Sequence, residues 1–309
     1  MRTTFVKTLM GLMEADPKIV TLTADMGFGV FEELQATFPN RFVNTGVAEA
    51  NTVGIAAGLA LSGYRPFFYA QAPFATLRCF EQMRLDIASN NLDVKIVGTS
   101  SGFTLGQYGA SHCVFEDVGA MRLLPNMTIV CPGDVYEAEM ATREAATMTT
   151  PLYIRIGRSN SFGSDQLIHT NKPPFQIGKG ILISEGAGIA LVATGSMLLT
   201  ASRVTEKLRE AGVSVALVSM HTIKPVDTEM LQKLSREIKT IITLEEHSEI
   251  GGLGSAVLEQ MHTINPAVRV VRIGTKEKFL HVTGSREYLL GQHGLTADQV
   301  CETIMTIAR

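Results

Sequence analysis

Four stretches of the 309-residue sequence gather side chains able to do chemistry. The first is NTGVAEANTVGIAAGLALSGYRPFF (44–68), where Glu49 opens a predicted helix rich in Ala and Gly. Two readings of Glu49 stay open. The backbone dipole alone favours a carboxylate at a helix start. The small residues Ala48, Ala50, Gly54, Ala56, Ala57 and Gly58 also predict a helix packed closely on all sides. Such packing would strip Glu49 of water, the setting in which acid–base carboxylates work. The second stretch, YAQAPFATLRCFEQMR (69–84), places Phe74 at a strand-to-helix turn behind Pro73, where a core aromatic is the plain reading. The third, SGFTLGQYGASHCVFED (101–117), is a loop with Gly102, Gly106, Gly109 and His112. His112 follows a strand's C-terminal end, where α/β sheets bind ligands; a hydrogen-bonded loop histidine is the alternative. The fourth, IRIGRSN (154–160), ends a strand with Arg155 and Arg158, which could hold an anion or lie solvated on the surface. A glycine cluster, Gly251, Gly252 and Gly254 in EEHSEIGGLGS, fits a phosphate loop or simply a tight turn with close helix–sheet packing.

The elements that must position these residues alternate in type. KIVTLTAD, RPFFYAQAP, LDVKIVGTS, MTIVCPGD and PLYIRIG are short, apolar and turn-bounded, which predicts buried parallel strands. Helical patterns fall between them at 48–63, 75–89 and 135–148. The polar, Pro-containing stretch 162–180 breaks the pattern and reads as a linker. A second series follows, with strands in GILISEG, GIALVATG, VSVALVSM, TIITLEEH and VRVVRIG. Its helices are predicted at 198–212, 227–238, 254–264 and 295–308, the last capped by Thr296. The expected fold is α/β: two three-layer α/β/α domains with mainly parallel sheets, 1–162 and 181–309, joined by a linker.

Composition narrows the function classes. Hydrophobic residues make up 45% and charged residues 18%, enough apolar side chain for a sizeable core and too little charge for a disordered chain. A net charge of -3 without a Lys/Arg run argues against nucleic acid. Cys79, Cys113, Cys131 and Cys301 form no C-x-x-C pair, so neither zinc nor thioredoxin chemistry has a motif, and a reducing compartment is expected. Glu14 and Asp16 interrupt any secretion-signal core, and no apolar run reaches the ~18 residues of a membrane span. The expectation is a cytoplasmic protein.

In order along the chain, these segments resemble the transketolase family of thiamine-diphosphate enzymes, which includes deoxyxylulose-phosphate synthase. GVAEANTVGIAAGLALSGYRP, QAPF and LGQYGASH are similar to the segments around the family's catalytic glutamate, pyrimidine-stacking ring and active-site histidine. RLLPNMTIVCPGD, IRIGRSN, HTIKPVD and EEHSEIGGLGS are similar to the elements that follow. The resemblance implies that Glu49 contacts the aminopyrimidine ring and exchanges a proton with a ring nitrogen. It implies that Phe74 stacks on that ring, with Gln71 and Arg78 as further cofactor contacts. His112 would lie near the reacting carbon, and Arg158 would bind the far, usually phosphorylated, end of the sugar. Two positions depart from the pattern. Tyr108 stands where transketolases usually have an Asp that reads a substrate hydroxyl, and Ser100 stands roughly where many have a phosphate-binding His. Both would contact a substrate other than the usual pentose phosphates.

The family's diphosphate-binding domain is marked by G-D-G followed by an Asn, which hold magnesium. This sequence has no G-D-G; Gly133-Asp134 is followed by Val. The resemblance therefore implies a partner chain that carries this domain and most of the Mg2+ (or Ca2+) ligands, with none in this chain. It implies an α2β2 assembly with self-dimerisation and a sugar or sugar-phosphate substrate. Three other readings compete: the beta chain of a 2-oxoacid dehydrogenase, a split deoxyxylulose-phosphate synthase, and a structural subunit. The G-x-x-G-x-S-H form of the histidine loop favours the transketolase reading over the first. The joint presence of Glu49, Phe74 and His112 argues against the last.

Overall fold

A computed structural model describes residues 1–157 and 167–308. Arg158 and the first part of the expected linker lie outside the described residues. The first sheet contains β1 (Ile19–Thr23), β2 (Phe42–Asn44), β3 (Arg65–Gln71), β4 (Lys95–Thr99), β5 (Thr128–Val130) and β6 (Leu152–Ile156). The second contains β7 (Ile181–Ser184), β8 (Gly188–Ala193), β9 (Val215–Ser219), β11 (Ile238–Ser248) and β12 (Arg269–Thr275). Between β9 and β11 runs β10 (Thr222–Lys224), which leaves the second sheet and pairs antiparallel with β5 at the edge of the first. The strand orders are β10-β5-β6-β4-β3-β1-β2 and β12-β11-β8-β9-β7. Apart from β10 and the antiparallel pair β7–β9, every pairing is parallel.

Each sheet is covered on both faces, which is why its strands read as continuous apolar runs rather than alternating ones. In the first sheet, Ile19, Phe67, Tyr69 and Val97 face the helices Arg2–Ala15 and Val135–Ala145 through Phe5, Leu9, Met13 and Ala141. The alternate residues Val20, Leu22, Phe68 and Ile96 face the helix Glu49–Leu61 through Val53, Ala56 and Ala57. The second sheet follows the same rule. Leu191, Leu217 and Ile242 pack on the helices Met197–Glu210 and Ala297–Ala308, while Val192, Val218 and Ile241 pack towards Leu253–Ile264. Two three-layer α/β/α domains with mainly parallel sheets result. They share one core, in which Met121, Leu124 and Met127 meet Ile223, Leu253 and Val257.

Local departures from expectation have physical reasons. The helix expected over 75–89 is broken into Ala72–Ala75, Phe80–Gln82 and a π-helical turn Met83–Ala88. Pro73 lies in the first turn of the first of these pieces, where its missing N–H costs nothing. The stretch after residue 166 is polar in composition yet firmly packed. His169 is buried on Glu137 at 2.8 Å, and Phe175 stacks on His221 with ring centroids 4.2 Å apart. Thr296 caps the last helix, its Oγ1 accepting from Gln299 N at 3.4 Å. No helix among the described residues is long and apolar enough to cross a membrane.

Candidate active site

Glu49 is the first residue of its helix and only 4% exposed. The turn before it is set by side chains. Asn44 Oδ1, at the end of β2, accepts from Asp25 N at 2.9 Å and Gly46 N at 3.0 Å, and the Thr45 and Thr52 hydroxyls lie 2.6 Å apart. Arg78 Nη1 donates to Glu49 Oε2 at 2.8 Å. The same guanidinium lies over the Phe74 ring, 4.0 Å from its centroid. Phe74 in turn meets the His112 ring edge-on at 5.3 Å, and His112 stacks on Tyr108 at 4.9 Å. Ser111 Oγ lies 2.9 Å from His112 Nδ1. Five residues singled out in the sequence, from three separate segments, therefore form one continuous series from Glu49 to Tyr108. Glu49 itself is pinned to Arg78 alone, and its Oε1 makes no hydrogen bond to a described residue. Beside the series, burial first and the Glu49 charge second push the Cys79 thiol up to about 12, so it stays protonated.

Gln71 and Ser100 lie where two neighbouring strands end. Gln71 closes β3 opposite Thr99 of β4, and Ser100 follows with φ +56°. Gln71 Oε1 and Thr99 Oγ1 are both buried without a hydrogen-bond partner among the described residues. A buried acceptor or hydroxyl left empty is costly, about 1–3 kcal/mol each.

Other sequence candidates serve the frame instead. Arg155 is 5% exposed and turned into the protein, with Nε on Asp117 at 2.7 Å and Nη2 on the Val114 and Glu246 carbonyls at 3.2 and 3.1 Å. The glycine cluster does not cradle phosphate either. The amides that open the helix Leu253–Ile264, Leu253 N and Gly254 N, donate to the two oxygens of Glu245 at 2.7 and 2.8 Å. An internal carboxylate already fills that positive helix end. Gly252 is required there, because a Cβ would collide with Glu245 Oε2 and His247 Nδ1. Asp134, Glu137 and His169 lie close enough together to hold a metal ion, but their oxygens already accept from Glu137 N, Ile168 N, His169 N, Gly133 N and Ser219 Oγ. Through Ser219 Oγ on Glu137 the cluster ties the first domain to the second.

The sequence reading missed the buried pair Glu246–Arg286, which braces the loop that carries His112. The signal was present in TIITLEEH: two adjacent carboxylates at the end of an otherwise apolar buried strand.

Comparison with known proteins follows the same division. The family model for the transketolase pyrimidine-binding domain matches residues 1–162, and that for the transketolase C-terminal domain matches 178–300. The chain belongs to the transketolase family. A "putative transketolase C-terminal section" from Methanocaldococcus jannaschii is 37% identical over 99% of this chain and 95% of its own length. A subunit of apulose-4-phosphate transketolase from Phocaeicola vulgatus is 32% identical over 100% and 97%. A solved structure described as a split gene transketolase, inactive beta4 tetramer, superposes with a TM-score of 0.90 at 36% identity, covering 99% of this chain and 97% of that one. Deoxyxylulose-phosphate synthase from Thermosynechococcus vestitus is 35% identical, but this transketolase-family chain spans only 47% of it. Membership implies a thiamine-diphosphate-dependent transferase.

Proposed function

We propose that this chain is the C-terminal subunit of a split transketolase, which transfers a two-carbon ketol unit between sugars or sugar phosphates once a diphosphate-binding partner completes the site. The observation that carries the reading is the series Glu49–Arg78–Phe74–His112–Tyr108, assembled in a chain whose end-to-end relatives are described as a section and a subunit of transketolase. The residues fit the pyrimidine half of thiamine diphosphate. Glu49 keeps one oxygen open, Gln71 keeps a buried acceptor open, and the Phe74 face already accepts a flat, nitrogen-bearing group in the Arg78 guanidinium. When bound, thiamine diphosphate supplies the carbanion chemistry of the transfer.

The chain's own residues then have separate tasks. Glu49 holds or gives up a proton at its open oxygen, towards a nitrogen of the pyrimidine, in a site shielded from water. Phe74 orients the pyrimidine by stacking. Arg78 and Gln71 are the further cofactor contacts. His112, with Nδ1 near Ser111, offers its other nitrogen for proton traffic on the substrate. Tyr108 and Ser100 line the substrate side, and Arg158 takes the far end of the sugar. Magnesium is held mainly by the partner, the assembly is α2β2 with contact between copies of this chain, and the protein works in the cytoplasm. That the 36%-identical structure is described as an inactive beta4 tetramer supports dependence on a partner.

The test is reconstitution with thiamine diphosphate and magnesium, using a ketose donor and an aldose acceptor. Turnover is expected only when this chain and its diphosphate-binding partner are mixed. Turnover by this chain alone would overturn the split assignment. Consumption of pyruvate in place of the ketose would reassign the reaction to the deoxyxylulose-phosphate synthase type.

A further inference from the structure

The loop between β4 and the helix Asp117–Arg122 carries Tyr108 and His112, yet much of what holds it comes from the second domain. Its base closes in an isolated antiparallel bridge between Gly102 and Val114. Just inside that bridge, Phe103 N donates to Glu246 Oε1 at 2.7 Å. Glu246 lies near the end of β11 and is buried. Its Oε2 accepts from Ser196 Oγ and from Arg286 Nη2, each at 2.5 Å. One carboxylate thus binds three elements: the loop, the start of the helix Met197–Glu210, and the helix Arg286–Gln292. Burial alone would raise the Glu246 pKa, but Arg286 offsets this and holds it below the ordinary carboxylate range, so the acceptor is a full charge.

The fit at the loop base is tight. Gly102 sits at φ +61°, and a Cβ there would lie 2.5 Å from Glu246 Oε1. Further along, Gly284 N donates to Gly106 O at 3.2 Å, two residues before the helix that Arg286 opens. The Phe103 ring lies 4.5 Å from Phe115 and 5.0 Å from His293 in the second domain's core. Beyond this base, Tyr108 is 59% exposed, and His112 keeps its edge-on contact with Phe74.

We infer that Glu246, held by Arg286, is a positioning residue through which the C-terminal domain sets the register of the active-site loop and so places His112 against Phe74. A buried ion pair kept only for stability would have no need to accept the loop's Phe103 amide or to press against Gly102. The kinetic part of this inference rests on the proposed role of His112; the structural part does not.

Amide hydrogen exchange on the whole chain tests the structural part. In the native chain, the Phe103 amide should exchange more slowly than those of 107–111, since its partner is a buried charge; exchange as fast as theirs would overturn the inference. Glu246→Gln keeps a carbonyl acceptor for Phe103, whereas Gly102→Ala forces the loop and the Glu246 side chain apart while keeping the charges of Glu246 and Arg286. Gly102→Ala should speed exchange across 103–113 by about tenfold or more while the helix Glu49–Leu61 is unchanged, and Glu246→Gln should do so far less. Equal protection of 103–113 in Gly102→Ala and the native chain would overturn the inference.

In the complex with the partner, Gly102→Ala should lower kcat about tenfold or more without altering the half-saturating concentration of thiamine diphosphate, because Glu49, Phe74 and Arg78 lie off the loop. A faster-exchanging loop with native kcat would also overturn it. A native complex that turns over no ketose would instead refute the proposed function and leave the exchange results readable.

Discussion

Two buried carboxylates, one in each domain, lie at the N-terminal turn of a helix and end in opposite states. Glu245 is saturated: both oxygens take backbone amides of the helix Leu253–Ile264, and a glycine is pressed against them. Glu49 is 4% exposed yet has one partner, Arg78, whose side chain is itself 46% exposed. Burial does not separate them; the unused oxygen does. The contrast extends to their surroundings. Around Glu245 several polar groups are bonded within the protein, with Arg122 Nη1 on Gly251 O at 2.7 Å and Gly251 N on Ser255 Oγ at 2.9 Å, although Thr243 Oγ1 nearby has no partner among the described residues. On the side of the first domain that carries Glu49, Gln71 and Thr99 remain buried and unsatisfied. The filled helix end at Glu245 serves the fold, whereas the open oxygen of Glu49 has no such use among the described residues.

The comparison can be broken by substitutions on its saturated side. Gly252→Ala should cause the largest loss of stability, about 3 kcal/mol, because the new methyl enters the space of Glu245 and His247. An unchanged urea midpoint would show that this carboxylate is not locked. Glu245→Ala should cost about 2 kcal/mol, by leaving two buried helix amides without an acceptor. Once folded and mixed with partner, that variant should keep near-native turnover; a large loss of kcat would place catalytic weight on the wrong carboxylate.

A pH measurement sharpens the same side. Burial pushes Glu245 up to about 7 and His247 down to about 4. Between roughly pH 7.5 and pH 5, folding places a proton on Glu245 and denies one to His247, so the two effects on stability oppose. In His247→Asn only the Glu245 effect remains. The native protein alone then loses stability below about pH 6.5, where the unfolded but not the folded His247 takes up a proton, so the variant should gain on the native protein by on the order of 1–2 kcal/mol as pH falls over that range. Equal pH slopes for both proteins would refute the neutral, saturated pair. The smallest effect belongs to the open side. Tyr108→Asp should shift kcat/KM between acceptor sugars about three- to tenfold, leaving stability unchanged because Tyr108 is 59% exposed. Identical acceptor preference would remove Tyr108 from the substrate side.

Much of this organisation was legible in the sequence because it rests on local rules. Buried parallel strands must be short apolar runs, so β1, β3, β4, β6 and the strands of the second sheet stood out. Glu49, Phe74, Arg78, His112 and Tyr108 were reached through ordered resemblance, and the structure brings them together. What stayed hidden depends on contacts far apart in sequence. Nothing in HTIKPVD says that β10 crosses to the first sheet. Arg155 read as a free cation because Asp117 and the Glu246 carbonyl, 38 and 91 residues away, cannot be inferred from its neighbours. The glycines after EEHSEI left a phosphate loop and a tight turn both open, because the group that fills the helix end, Glu245, is a side chain of the preceding strand.

The most direct test concerns Glu49 itself. Glu49→Gln preserves size and a hydrogen-bonding oxygen but cannot accept or return a proton as a carboxylate does. Turnover of the reconstituted complex should fall by about 10³-fold or more, while the unfolding midpoint moves by less than about 1 kcal/mol, because the half-exposed Arg78 partner is all the fold loses. Near-native turnover in a correctly assembled Glu49→Gln complex would contradict the account.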